Sequence, residues 1–207
     1  MAQRVDPELR RKRIAEALWR VAVSRGLHDV GLREVAAEAG MSLGALQHYF
    51  PTKDDMLVFA LEFVGQEADR RVRERLSSLP QPPSPEAVVR ATLAEMLPVS
   101  PESRTGLLVH VAYLARAVHN PRLRAATVEG IQPLRDLLAE MLRRAAEHGR
   151  LAPGREPGAE AMALICLAEG VTNYVLLGTM TAVEGERLVD AHLAELFRGT
   201  AEVPGQP

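Results

Sequence analysis

The sequence predicts an all-α protein of about nine helices, and three observations carry that prediction. Helix starts recur as a capping side chain ahead of Pro at the first helical position, in Ser84-Pro85-Glu86, Ser100-Pro101-Glu102 and Asn120-Pro121. Stops are as plain: Gly26, Gly40, the Pro-rich stretch 80–83, and a loop over 149–158 containing two Pro. No alternating strand pattern interrupts the helical periodicity. Segments 6–25, 32–39, 43–49, 53–77, 84–98, 101–118, 121–149, 157–183 and 185–198 are the expected helices.

In the first helix, Ile14, Leu18 and Val21 with Ala15, Ala22 and Trp19 form a broad apolar stripe. Arg10, Arg11, Lys12 and Arg13 precede it, a cluster that suits either a phosphate backbone or a solvated face. Leu32, Val35, Ala36 and Ala39 sit at helical spacing until Gly40 breaks the run. Ser42 then caps 43–49, with Leu46 and Phe50 turned inward. Helices of seven or eight residues do not stand alone, so this pair must pack on something else. Thr52 opens 53–77, and acid three residues on gives a near capping box. Pro133 is expected to kink or break the helix over 121–149.

The apolar run 161–183 is long enough to span a bilayer, but it holds Glu169, Asn173 and three Thr and ends without a basic flank. It reads as a buried helix shared between subunits, so no membrane partner is expected. The N-terminus lacks the apolar core of a secretory signal, and the expected location is the cytoplasm. Cys166 is the single cysteine, which excludes a disulfide framework within one chain and any Cys-rich zinc site; it reads as core filling.

Two short helices with Gly in the turn are a device for placing one helix in the DNA major groove. Charge agrees in direction. Residues 1–53 carry nine Lys/Arg against six Asp/Glu, and the rest carries sixteen against twenty-one. A basic DNA-facing module over 1–52 joined to an acidic body over 53–207 is the expected division.

The pattern from the first helix through LREVAAEAGMSLGALQHYFPTKDDML resembles the tetracycline-repressor (TetR) family of bacterial one-component regulators. Small residues, Ala-Gly at the turn, Ser at the next cap, the aromatic pair Tyr49-Phe50 and Lys two residues past Pro51 carry the match. The later helices look closest to the branch that includes the betaine-synthesis repressor. The resemblance implies a ligand-responsive repressor: an N-terminal helix-turn-helix domain, a C-terminal effector-binding and dimerisation domain, and partners that are double-stranded DNA, a small-molecule effector and a second copy of the chain. It implies no cofactor and no metal.

Carried over by position, Leu43, Gly44 and Gln47 lie on the exposed face of the recognition helix. Gln47 stands where relatives often have Tyr, and Gln makes a bidentate contact to adenine. Arg33 is a second base reader, while His48, Tyr49 and Lys53 match positions that hold phosphates. Tyr49 also suits packing on the first helix, and His48 a solvated position. With 23 Arg and two Lys in the chain, a Lys at the family's Lys position is itself suggestive. Gly31 and Leu32 replace the Thr that commonly caps this helix and touches phosphate.

A two-fold dimer would set two recognition helices about one DNA turn apart on palindromic half-sites. Leu188, Val189, His192, Leu193, Leu196 and Phe197 form a face one subunit would have difficulty covering, so they are the expected dimer interface, with intramolecular core the other reading. Candidate effector contacts are Phe59 and Phe63, then Leu107, His110, Val111, Tyr113 and Leu114, then Glu169, Thr172 and Asn173. His110 and Glu169 suit a bound neighbour or a subunit seam equally. Ligand would tilt the helix over 53–77 and favour a DNA-incompetent state. No HExxH, CxxC, GxSxG, Walker or dinucleotide motif is present, so an enzyme is not expected. The competing reading is an all-helical small-molecule carrier or enzyme with a vestigial helix-turn-helix.

Overall fold

A computed structural model describes residues 7–25 and 30–198, and among them there are nine α-helices and no strand. They are α1 (Pro7–Arg25), α2 (Leu32–Glu38), α3 (Leu43–Tyr49), α4 (Lys53–Ser77), α5 (Pro85–Glu95), α6 (Pro101–Ala117), α7 (Pro121–Glu147), α8 (Pro157–Leu176) and α9 (Ala182–Leu196). Gly26, the expected stop of the first helix, lies outside the described residues.

Two elements depart from expectation. The eighth helix stops at Leu176 rather than 183, because Gly178 takes φ +76 and Thr181 starts a new helix with a full capping box. Thr181 Oγ1 accepts from Glu184 N at 3.2 Å, and Glu184 Oε2 accepts from Thr181 N at 2.8 Å. The T-x-x-E signature was legible at 181–184, but the apolar run across it masked the break. Pro133 does not interrupt α7, which is helical throughout. Pro133 and Glu129 are both exposed, so water can satisfy the carbonyl that loses its N–H partner.

The chain forms two compact units. The first runs to Glu67 and takes back Leu108–Thr127; the second is Ala68–Leu107 together with Val128 onward. The first therefore extends past the 52/53 division expected from sequence, to the first part of α4, the end of α6 and the start of α7. Its core joins Ile14, Leu18 and Val21 of α1, Val35 of α2, Leu46 of α3, Met56 and Leu57 of α4, and Tyr113 and Leu123. This shared core is what makes two seven-residue helices stable.

The second unit has a core of Val89 and Leu93 from α5, Leu138 and Leu142 from α7, Leu164, Ile165 and Ala168 from α8, and Val189, Leu193 and Leu196 from α9. By length and composition α8 could cross a bilayer, yet Ala161, Leu164, Ile165, Ala168, Val171, Thr172 and Val175 are buried within the unit. Cys166 is not core filling: it is exposed, on the side of α8 opposite these residues. Glu95 is the buried carboxylate of this unit, held by Arg71 Nε at 2.6 Å and Arg75 Nη2 at 3.0 Å.

Candidate nucleic-acid interface

The helix-turn-helix is built by short-range bonds. Gly40 takes φ +66, a left-handed conformation suited to Gly, and Met41 N donates to Ala36 O at 2.9 Å to close the turn. Ser42 Oγ then accepts from Ala45 N at 3.2 Å, fixing where α3 begins. Leu46 is fully buried, and Phe50 sits against Phe59 of α4 with ring centroids 5.0 Å apart. Arg20 of α1 meets Glu38 of α2 at 2.6 Å, bracing the first two helices. With Leu46 and Phe50 inward, the helical period turns positions 44, 47 and 48 outward.

Gly44, Gln47 and His48 are indeed exposed, and Leu43 is half-buried. A Cβ added at Gly44 would meet nothing within 4 Å, so the protein itself leaves that spot open. Arg33 is exposed on the first turn of α2, beside Gly31, whose extended backbone caps the helix without a side-chain bond. Tyr49 is half-buried against the core and lies edge-on to His48 at 5.7 Å, so packing and solvent access coexist there. Arg10, Arg11, Lys12 and Arg13 are all exposed.

The near capping box expected at Thr52 forms at the α4 N-terminus, and contacts from α6 and α7 that sequence reasoning missed join it. Asp55 Oδ2 accepts from Thr52 N at 3.0 Å and Thr52 Oγ1 at 2.6 Å, while Thr52 Oγ1 accepts from Asp55 N at 3.1 Å. The Thr52 hydroxyl holds the Asp55 carboxyl below its ordinary range, with help from Arg122. Asp54 is met by Arg116 Nη2 at 3.1 Å and Asn120 Nδ2 at 2.6 Å, and Asp55 by Arg122. Asn120-Pro121 was legible only as a helix cap. It is one, since Asn120 Oδ1 accepts from Arg122 N at 3.0 Å, but its amide also reaches across to Asp54.

The candidate effector residues divide between the units. Phe59, Phe63, His110, Val111 and Leu114 are half-buried in the first; Leu107 and Glu169 are half-buried in the second, where Asn173 is exposed. Two of the set are committed elsewhere. Tyr113 is fully buried and donates to Leu123 O at 3.0 Å, and Thr172 is buried and donates to Met96 O. Two open clefts lie elsewhere. One, of about 220 Å³, is lined by Ser84, Pro85, Glu86, Ala145, His148, Arg150 and Phe197. The other, of about 250 Å³, is lined by Val21, Ser24, Glu34, Ala37 and Glu38.

Part of the expected dimer face is covered by its own chain. Val189, Leu193 and Leu196 are covered by their own chain and belong to its core; Leu188 is exposed, and His192 and Phe197 are half-buried. The uncovered apolar side chains of α8, α9 and the turn between them are Met162, Tyr174, Leu177, Val183 and Leu188. Within the chain α9 packs on α8 and α5, which supply the cover it was thought to lack.

Residues 14–58 match the family model for bacterial regulatory proteins of the tetR family, and residues 85–198 match the C-terminal model of BetI-type transcriptional repressors. The chain belongs to the TetR family. The HTH-type transcriptional regulator PksA of Bacillus subtilis is 35% identical over 86% of this chain and 83% of its own. The HTH-type transcriptional regulator BetI of Serratia proteamaculans is 26% identical over 79% of each. Among solved structures, a putative TetR-family regulator from Rhodococcus sp. superposes with a TM-score of 0.81 at 21% identity, covering 91% of this chain and 99% of that one. A putative regulator from Saccharomonospora viridis, solved in complex with choline, gives 0.78 at 23% identity, covering 90% and 96%. As a TetR-family protein the chain is a DNA-binding transcriptional regulator and not an enzyme.

Proposed function

We propose that this TetR-family regulator represses transcription in the cytoplasm as a homodimer on a palindromic operator, and that a small-molecule effector releases it. The observation that carries the reading is the exposed row Gly44, Gln47 and His48 on a recognition helix that is capped at both ends and seated on a rigid core. Gln47 and Arg33 read bases, and His48, Tyr49 and Lys53 hold phosphates. Gly44 lets the groove edge approach the helix backbone.

Dimerisation uses the outer faces of α8 and α9, where Tyr174 and Leu177 are 57% and 74% exposed. Leu188, His192 and Phe197 stay in the proposed interface; Val189, Leu193 and Leu196 support it from beneath. The effector candidates form two sets, each within its own unit: Phe59, Phe63, His110, Val111 and Leu114 in the first, and Leu107, Glu169 and Asn173 in the second; Tyr113 and Thr172 offer no free polar group to either. A largely apolar ligand with one or two polar handles suits these residues. The choline of the Saccharomonospora viridis protein makes choline and related quaternary ammonium compounds the first to try by thermal shift.

Selection from random duplex DNA, followed by sequencing of what the purified protein retains, tests the core of the reading. A palindrome with half-sites about one helical turn apart is the expected product. Retention of no sequence above background would overturn it.

A further inference from the structure

The first turn of α4 carries a contradiction. Lys53 is set there to hold a phosphate, yet Asp54 and Asp55 follow it directly. Carboxylates suit a helix N-terminus, where they complement the dipole and cap the first N–H groups. They do not suit a surface laid against a phosphodiester. Lys53 with the two aspartates alone leaves that turn with a net charge of −1.

The fold corrects this from a distant part of the chain. Arg116, at the end of α6, pairs with Asp54 across 62 residues of sequence, and Arg122, in the first turn of α7, pairs with Asp55 across 67. Asn120 lies between them and donates to the second Asp54 oxygen. Counting both arginines, the cluster becomes +1. The Asp54 and Asp55 side chains are 27% and 19% exposed, and those of Arg116 and Arg122 are 44% and 62% exposed. In each pair the arginine is the more exposed member and the aspartate the more covered one. The corner itself is fixed by the core: Val109, Tyr113, Ala117 and Leu123 pack in one cluster with Met56, Leu57 and Ala60 of α4.

Exposed ion pairs of this kind add little to folding. Their effect on local potential is larger, since a phosphate within a Debye length, about 10 Å at 0.1 M salt, feels each charge. We propose that Arg116, Asn120 and Arg122 at the α6–α7 corner are positioning residues for DNA binding, supplying the counter-charge that lets the first turn of α4 lie against a phosphate. This rests on the reading of Lys53 as a phosphate contact.

The test is the affinity of purified protein for a short duplex of random sequence at about 50 mM and about 200 mM salt. Arg116→Gln weakens binding about three- to tenfold at the lower salt and less at the higher. Arg116→Lys keeps the charge and the affinity. Asp54→Asn alone binds at least as well as wild type, and Asp54→Asn with Arg116→Gln returns to within about twofold of it. A double variant as weak as Arg116→Gln, or a weakened Asp54→Asn, would mean the contacts only brace the corner, and would overturn the proposal. Melting temperatures of all four variants separate a folding defect from a charge effect; a loss tracking melting temperature and indifferent to salt also overturns it. Lys53→Gln is measured alongside. Unchanged affinity there sinks the phosphate reading itself, whereas weakened Lys53→Gln without rescue by Asp54→Asn sinks the counter-charge alone.

Discussion

Tyr113 gives its phenol hydrogen to the carbonyl of Leu123 at 3.0 Å, closing the end of α6 on the start of α7. Both residues are fully buried, in the same cluster as Leu18, Leu46 and Leu57. The helix-turn-helix therefore does not fold on α1 alone. Its core is completed by residues more than sixty positions downstream, and disturbance at the α6–α7 corner reaches the recognition helix through contiguous packing.

Tyr113→Phe measures that bond. The Leu123 carbonyl still accepts from the Thr127 hydroxyl at 2.9 Å, so no acceptor is stranded. The expected loss is about 1 kcal/mol, read from the urea midpoint. Burial raises the Tyr113 hydroxyl above its ordinary 10.0. A raised folded value means the neutral phenol is favoured in the fold; that contribution is full below pH 10.0 and is lost as pH rises through the folded value. The alkaline fall in stability is accordingly shallower in Tyr113→Phe than in wild type, and an identical alkaline arm would count against the assignment.

Base reading and phosphate holding separate by their sequence dependence. Gln47→Ala is expected to cost about 1–3 kcal/mol on the selected operator and little on random DNA, relaxing preference at one base pair in each half-site. Lys53→Gln weakens both alike and lowers the slope of log affinity against log salt by about 1. Titrations of the two variants against both duplexes decide this. A uniform loss for Gln47→Ala would move it to the phosphate-holding group.

Much of this was legible in the sequence because caps and breaks act locally. Ser42, Gly40 and Ser84 do what their spacing implies, since a cap needs only residues three apart. What could not be read was the cover supplied from elsewhere in the chain. Leu193 and Leu196 form an apolar face either way, and only the packing of α8 and α5 on α9 decides that it is core. The same limit hid the Arg116–Asp54 pair and misplaced Cys166, which lies in an apolar stretch but on its outer side. The end of α8 failed for another reason: one hydrophobic run crosses two helices, and Gly178 with Thr181 ends the first within it.

Gly31 offers a gain of function. It caps α2 in extended backbone, φ −119 and ψ 165, which any residue adopts. A Cβ there would meet only the Glu34 carboxylate, the far end of a flexible side chain. Gly31→Thr therefore adds a side-chain cap worth a few tenths of a kcal/mol. It also restores a hydroxyl for phosphate, so affinity for random duplex is expected to rise with a small increase in melting temperature. A fall in both would mean that Glu34 has nowhere else to go.

Acid should unpick the helix starts. Backbone N–H bonds from Gly158 and Ala159 hold the Glu156 carboxyl low, and those from Thr181 do the same for Glu184. A depressed folded value gives stability that is present above the ordinary 4.5 and lost as pH falls through the folded value. Glu156→Gln and Glu184→Gln should each flatten the decline in urea midpoint between about pH 6 and about pH 2. A decline as steep as that of wild type in both would place the acid sensitivity elsewhere.

The interface prediction turns on which face of α8 and α9 is charged. Leu177 is the most exposed of the large apolar residues in the second unit, and Tyr174 lies one turn before it. Neither is in the core, so Leu177→Arg leaves the fold and melting temperature of the monomer nearly intact. If two copies meet there, the variant places two buried, unpaired guanidinium groups in the seam, a cost of several kcal/mol. Sedimentation should then show a monomer where wild type is a dimer, and binding to a palindromic operator should fall toward the affinity for a single half-site. Leu193→Arg makes the contrast, because Leu193 is wholly buried within its own chain and its loss unfolds the second unit. A Leu177→Arg protein that remains dimeric would place the two-fold axis on another face.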